Sequence, residues 1–380
     1  LALGSTGCVK KMILDGQIHS TRIGSGAADT IADYEIARGA AAGGVLQFEG
    51  MHRLAPENED ALFLLLRGWA GWGYAFAQDD YEVASLAGDE ATAEYHKRRT
   101  KLAYDRAISY GLELLAKQDE GFNAAKKNSD TMNAWLKAHF DDKEDAEPLF
   151  WLGSAWLARV NLLKDEPEYV ADLFVGVALL ERSRALDPEF MAWGATSTLA
   201  AYHARSGMAE LDESKKLLDL ALEKTKGKAL GIHLNYAKYA CVKADQPLYE
   251  KTLNDIIAAE DTEVNLRLQN AIAKRRAKRA LSKAAMEDCG FSPPAPPAKP
   301  APAAAAPAPA PAPVPAPTTA AAPAAAAPAT KSAAAAPPAA AAAKPAPAAA
   351  AAAKPAAPPA APAAKPAAPA SATPAAPAAK

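Results

Sequence analysis

Cysteine is almost absent: three residues in 380, none in a CxxC or zinc-type spacing, which excludes a disulfide framework and a structural zinc site. No apolar run reaches the roughly 18 residues of a membrane-spanning helix. The histidines, His19, His52, His96, His139, His203 and His233, form no HExxH or other pair at ligand spacing, so no metal is expected. There is no GxSxG elbow and no P-loop, and "GSGAAD" at Gly24 follows no strand, so it reads as a lead-in to a helix rather than a dinucleotide loop. The acidic pairs Asp79-Asp80 and Asp141-Asp142 read as solvated charge at helix ends or in loops, not as paired catalytic acids. Nothing carries catalysis, so the protein is expected not to be an enzyme and to use no cofactor.

The segment 292–380 lacks acids and aromatics altogether; it is nearly all Ala, Pro and Lys and cannot bury a core. Its prolines break helices, so it is expected to be a disordered, largely polyproline II tether. The chain carries a formal charge of −2, and six lysines lie in this tail, which leaves the rest acidic by about eight charges. An acidic body argues against nucleic acid as a partner.

Sustained alternation of β-branched residues is also missing from the body, whereas apolar residues recur at three- and four-residue steps from about residue 29 onward. The fold class is therefore all-α. Helices are expected over 29–54, 59–77 and 91–115, with weaker pieces in 120–139 and a polar loop, "QDDYEVASLAGDE", after the second. From residue 146 helices pair up as 146–163 with 168–185, 190–206 with 211–224, and 229–242 with 247–259, before a last helix over 264–286. A succession of short-linked antiparallel hairpins is the sequence face of a solenoid. Leu149, Leu152-Gly153 and Trp156 match the first helix of a tetratricopeptide repeat, and Gly176, Leu180, Ser183 and Pro188 the second. The two halves are spaced about 11 residues wider than the standard repeat.

Trp151 and Trp156 share one short helix with two apolar faces, which requires neighbours on both sides. Gly153 and Ala155 would let one of them come close. Trp69, Trp72, Tyr74, Phe76, Trp151 and Trp156 lie on helices expected to line the concave side of the superhelix, and are the candidates for an apolar ligand groove. Core packing is the alternative for each, and fits Trp156 best, while Trp151 is the better groove wall. The run "AKRRAKRALSK", with Lys274, Arg275, Lys278 and Arg279 on adjacent helical rows, reads as a solvated face.

Cys8 follows "LALGSTG", which reads as the remnant of a signal peptide ending in a lipobox, with Ser5 where that motif usually has Leu, Val or Ile. Lipidation of Cys8 would anchor the protein to a membrane without a spanning helix. Cys241 and Cys289 read as buried free thiols, with pairing in an oxidising compartment as the alternative. The chain thus divides into a leader remnant, lipobox and flexible lead-in (1–28), a helical-repeat domain (29–291) and the tail (292–380).

Five blocks occur in order over roughly residues 45–283: "LQFEGMHRLAPENEDALFLL", "GYAFAQDD", "SYGLELLAKQDEGF", "PLFWLGSAWLARVNLLKDEPEYVADLFVGVALLERSRALDPEF" and "LRLQNAIAKRRAKRAL". Together they resemble the TatT component (T protein) of tetratricopeptide-protein-associated TRAP transporters. The resemblance implies a periplasmic lipoprotein in the bacterial cell envelope. It would assist a periplasmic substrate-binding protein that hands an organic ligand to a membrane transporter, and a homo-oligomer is compatible with it. The alternative is a non-catalytic helical-repeat scaffold in envelope or cell-wall assembly.

Overall fold

Short polar side chains start several of the helices by satisfying backbone N–H groups that the first turn leaves free. The computed structural model describes residues 5–205 and 210–292, so the Ala/Pro-rich tail lies outside the described residues from position 293 on. Among the described residues every regular element is helical. Helix α1 (Ser5–Gly24) and a 3-10 turn (Ser25–Thr30) precede α2 (Tyr34–Leu54), where Asp33 accepts from the N–H groups of Glu35 and Ile36. Asn58 caps α3 (Glu59–Trp72), and a π-helical turn (Gly73–Ala77) leads into α4 (Gln78–Leu86). Asp89 caps α5 (Glu90–Leu115); α6 (Phe122–Ala125) follows, and Asn128 and Thr131 cap α7 (Ser129–His139) reciprocally.

The hairpins follow as expected: α8 (Ala146–Leu162), a single turn α9 (Pro167–Val170) and α10 (Leu173–Leu186), then α11 (Phe190–His203) with α12 (Leu211–Thr225), and α13 (Leu230–Val242) with α14 (Gln246–Ala258). The last expected helix is broken into a 3-10 turn (Val264–Leu266), α15 (Arg267–Ala280) and α16 (Lys283–Asp288).

Three expectations are corrected. The lead-in expected to be flexible is helical, because Leu14 and Ile18, one turn apart, pack on Met51, Ala61 and Leu64 of α2 and α3. The polar string after α3 is a helix, not a loop, since its polar groups find partners inside the protein, as described below. Cys241 and Cys289 form a disulfide, closing a sequence separation of 48 residues between α13 and the end of α16.

Each hairpin shares its apolar face with the next, so the core runs along the stack as a series of clusters. The first joins α3, α5, α7, α8 and α10 around Tyr104, Trp135, Leu149 and Trp156. The second joins α8, α10, α11 and α12 around Phe150, Leu180 and Leu218. The third closes α13, α14 and α15 around Leu253 and Ala277. α15 then turns back onto α2 and the Ser25–Thr30 turn, so the last hairpin meets the first.

Close approach is sharpest between α8 and α10. A Cβ on Gly153 would stand 2.9 Å from Leu180 Cγ and 3.1 Å from the Gly176 carbonyl oxygen, and one on Gly176 would stand 2.7 Å from Leu157 Cδ2. Backbone cannot yield as a flexible side chain can. Gly153→Val is expected to destabilise the body by about 1–3 kcal/mol through overpacking. Gly71→Ala, where nothing lies within 4 Å, should instead raise stability by up to about 1 kcal/mol through helix propensity. Urea-unfolding midpoints of the two variants should move in opposite directions.

Candidate functional site

The six aromatic candidates do not converge on one wall. Trp156 is 2% exposed, and its Nε1–H donates to the Asp172 carbonyl oxygen at 3.0 Å, which makes it core. Phe76 is 3% exposed and stacks at 5.2 Å on Tyr34. Trp69 and Trp72 are half-buried, 5.9 Å apart edge to face, and turned toward α2 and α5. Trp69 Nε1–H donates to Glu49 of α2 at 2.9 Å, while Arg106 and Arg99 of α5 lie 5.1 Å and 5.2 Å from the two rings. Tyr74, 42% exposed, lies under the Arg276 guanidinium at 4.1 Å. These four serve the α2–α3–α5 contact and the closure by α15 rather than a common groove.

Trp151 is different. It is half-buried and touches both the first and the second core cluster, with Phe150 5.3 Å away. Its indole Nε1–H is buried and has no hydrogen-bond partner among the described residues. The Arg67 guanidinium lies 5.6 Å from its ring, and Arg67 in turn lines a depression of about 300 Å³ with His19, Arg22, Ile23, Gly26, Phe63 and Glu147. Glu147 stands one helical turn before Trp151 on α8. α1 and the turn after it therefore cover this edge of α3 and α8.

The polar groups of the depression are largely paired. Arg67 donates to Asp29 at 2.7 Å and to Ser25 Oγ at 3.2 Å. Arg22 donates to Asp60 at 2.7 Å, lies 3.5 Å from Glu147, and covers the Phe63 ring at 4.1 Å. Burial raises the Asp29 carboxyl above its ordinary value against the pull of Arg67. Burial works the same way at Asp60, but the bonds from Arg22 and His19 outweigh it and hold this carboxyl low. Among the described residues, each charged side chain that lines the depression has a neighbour of opposite charge, His19 with Asp60, Arg22 with Asp60 and Glu147, and Arg67 with Asp29.

Sequence reasoning did not find Arg22, Phe63 and Arg67, because a single Arg or Phe on a helix carries no spacing signal. It also passed over the start of α11. Met191, Ala192 and Trp193 have φ of 50°, 51° and 64°, three consecutive non-glycine residues in the left-handed region. Such a residue costs about 1–2 kcal/mol, and runs of them persist only where the surroundings dictate them. Here Phe190 stacks on Phe150 at 5.4 Å, and a Cβ on Gly194 would meet the same Phe150 ring at 2.9 Å. The turn leaves Trp193 half-buried against the second core cluster. The "ALDP" string ahead of it was the only hint.

The Asp79-Asp80 pair is corrected, and with it part of the basic run: Arg275 and Lys278 are exposed as a solvated face requires, whereas Arg279 is largely buried against α4. Asp79 is 1% exposed and accepts from Arg275 Nε at 2.7 Å, Arg279 at 2.5 Å and the Tyr34 hydroxyl at 3.2 Å. Arg276, nearly fully buried, donates to the Tyr74 carbonyl oxygen at 2.7 Å, and Arg279 also pairs with Glu82. Asp80 takes two bonds from Arg38 of α2. The wide π turn swings α4 so that Asp79 and Glu82 face α15. Burial would raise the Asp79 carboxyl, but the two guanidinium groups hold it below its ordinary value; burial and Asp79 push Tyr34 up to about 12.

Among the described residues, no group of three or more His, Cys, Asp or Glu side chains is placed to hold a metal ion, and no helix is long and apolar enough to cross a membrane. The side chain of Cys8 lies outside the described residues. No curated protein matches the chain. A family model described as the TRAP transporter T-component matches residues 30–287.

Proposed function

The chain belongs to the TRAP transporter T-component family, an accessory role in a TRAP transporter, and from that premise we propose that it captures an organic ligand for a periplasmic substrate-binding protein. In this reading it is a non-catalytic, tetratricopeptide-like lipoprotein of the bacterial envelope, held to a membrane through Cys8. The ligand lies along α3 and α8 against Trp151, with its polar end toward Arg22 and Arg67. The observation that carries this is the buried indole Nε1–H of Trp151, which has no hydrogen-bond partner among the described residues, on a ring approached by Arg67, itself a lining residue of the depression. A buried donor without an acceptor is costly, and an acceptor atom on a ligand would satisfy it.

The test begins with a pull-down from native cell envelope using the tagged chain. Specific recovery of a periplasmic solute receptor supports the assignment. Recovery of cell-wall or assembly factors alone would replace it with the scaffold reading. Trp151→Phe keeps the packing against Phe150 but removes the indole N–H. It is expected to lose about tenfold in affinity for whatever small molecule copurifies, as one hydrogen bond of about 1–1.5 kcal/mol implies, with receptor recovery unchanged. Isothermal titration of the recovered compound reads the difference, and equal affinities would remove Trp151 from the site.

A further inference from the structure

Two helices of this acidic body are strongly basic. In α15 the arginines are largely spent within the protein, since Arg275, Arg276 and Arg279 are taken up by Asp79 and Glu82. In α5 they are not. Residues 97–106 hold Lys97, Arg98, Arg99, Lys101 and Arg106 against a single acid, Asp105. The helix buries Thr100, Ala103, Tyr104 and Ala107, so at 100° per residue its outer side presents Tyr95, Arg98, Leu102 and Arg106, with Arg99 at the edge. Tyr95 is 51% exposed and Leu102 62%. A lone exposed leucine is ordinary surface. One set among three arginines and a tyrosine, with Trp69 and Trp72 behind them, has the composition of an interface centre.

These arginines are held in place but weakly neutralised. Arg99 lies 5.2 Å from the Trp72 ring and 5.6 Å from the Tyr95 ring, and Arg106 lies 5.1 Å from the Trp69 ring. A ring against a guanidinium limits its motion and leaves N–H groups at its edge for an acceptor. The nearby acids are committed elsewhere. Asp80, 3.9 Å from Arg99, takes two bonds from Arg38, and Arg99 otherwise meets His96 at 3.3 Å. Glu49, 3.5 Å from Arg106, accepts from Trp69 and Tyr110. Arg98 has Glu94, one turn earlier on the same helix, in an exposed pair that adds little.

We propose that this face of α5 docks an acidic patch on a folded partner protein, with Tyr95 and Leu102 at the centre and Arg98, Arg99 and Arg106 pairing with the partner's carboxylates. Cations held by rings favour carboxylates in a fixed array, which a protein surface supplies and a fluid headgroup layer does not. The acidic body as a whole repels such a partner, so a basic face orients the encounter. The occupant is the solute receptor, and to that extent the inference rests on the proposed function. None of the side chains lining the depression near Trp151 belongs to α5, so ligand and receptor engage separate groups.

Titration of the full chain with the receptor recovered by pull-down tests it. Affinity should fall between about 50 and 500 mM salt. Leu102→Glu, at a position too exposed to disturb the fold, should weaken binding at least about tenfold by setting an acid against the partner's acids. Arg106→Glu should do the same, with circular dichroism as a check because Arg106 also covers Trp69. Leu220→Glu, on the exposed side of α12, should leave affinity within about twofold. A receptor that binds the parent and Leu102→Glu equally, that is indifferent to salt, or that is lost equally with Leu220→Glu would overturn the docking surface and leave the proposed function standing. Binding of the parent, but not of Leu102→Glu, to phosphatidylglycerol vesicles in place of the receptor would assign the face to lipid and overturn it too. If the parent recovers no receptor at all, the functional reading fails and this inference with it.

Discussion

Asp79→Asn is expected to destabilise the body by about 3–5 kcal/mol, the penalty for removing one partner of a buried, hydrogen-bonded charge pair. The magnitude follows from what is left behind. Arg275 and Arg279 direct N–H donors at the Asp79 carboxylate, which is 1% exposed, and a neutral amide of the same size cannot compensate two guanidinium charges there. The pairs span about two hundred residues of sequence, joining α4 to α15, so the loss falls on the contact between the first and last hairpins. At roughly 2–4 °C per kcal/mol for a domain of this size, melting should drop by about 6–20 °C. Hydrogen exchange should show α15 opening before α8 and α10. Salt should do little, because buried pairs are weakly screened. The pH dependence has a definite sign. The folded Asp79 pKa lies below its unfolded value, so the stabilisation is fully present above the ordinary carboxylate range and is lost as pH falls through the depressed value. A variant melting within about 1 °C of the parent would mean that the cluster contributes nothing to closure.

This cluster also shows where legibility in the sequence stopped. Periodicity places the hairpins from α8 to α14 within a few residues, because Leu149, Leu152, Trp156 and Val160 report a buried stripe directly. The close pass of α8 and α10 was visible in Gly153. "QDDYEV" and "AKRRAKRAL" were misread for one shared reason: each string is polar, and polarity in isolation predicts solvent. Only the closure of the stack brings Asp79 and Glu82 against Arg275, Arg276 and Arg279, which buries Asp79 and Arg276 while Arg275 and Lys278 keep facing solvent. α1 was missed because Leu14 and Ile18 make a stripe of only two residues, and because the leader-like string before it drew attention from structure to processing. At the candidate site, the two apolar faces of α8 called for neighbours on both sides, and Trp151 does pack against both the first and the second core cluster. Arg22, Phe63 and Arg67 were not legible, since no spacing links residues from α1 and α3 that meet only through packing.

Removing the Cys241–Cys289 bridge, by Cys289→Ser or by reduction, should destabilise the protein by up to about 4 kcal/mol, the chain-entropy figure for a closed loop of about 49 residues. The loop contains α14 and α15, and its closing end lies beside Phe291, which stacks at 5.2 Å on Tyr249 of α14. The disulfide therefore ties the end of α16 to α13, while the Asp79 pairs hold α15 against α4. Both restrain the segment that carries α15, since the bridge closes the loop in which that helix lies. Once either is lost, the last hairpin can peel away, and the second removal then costs less than it would alone; the double variant should fall short of additivity by about 1 kcal/mol or more. Urea unfolding with and without dithiothreitol separates the terms. Reductant should bring the parent midpoint down to that of Cys289→Ser and leave the variant unmoved, whereas a parent indifferent to reductant would show that the two thiols are not joined. The pairing also bears on compartment. A bridge between α13 and the end of α16 persists only where thiols are oxidised, so recovering it intact from cells is a prediction of the envelope assignment that needs neither the lipid on Cys8 nor the ligand.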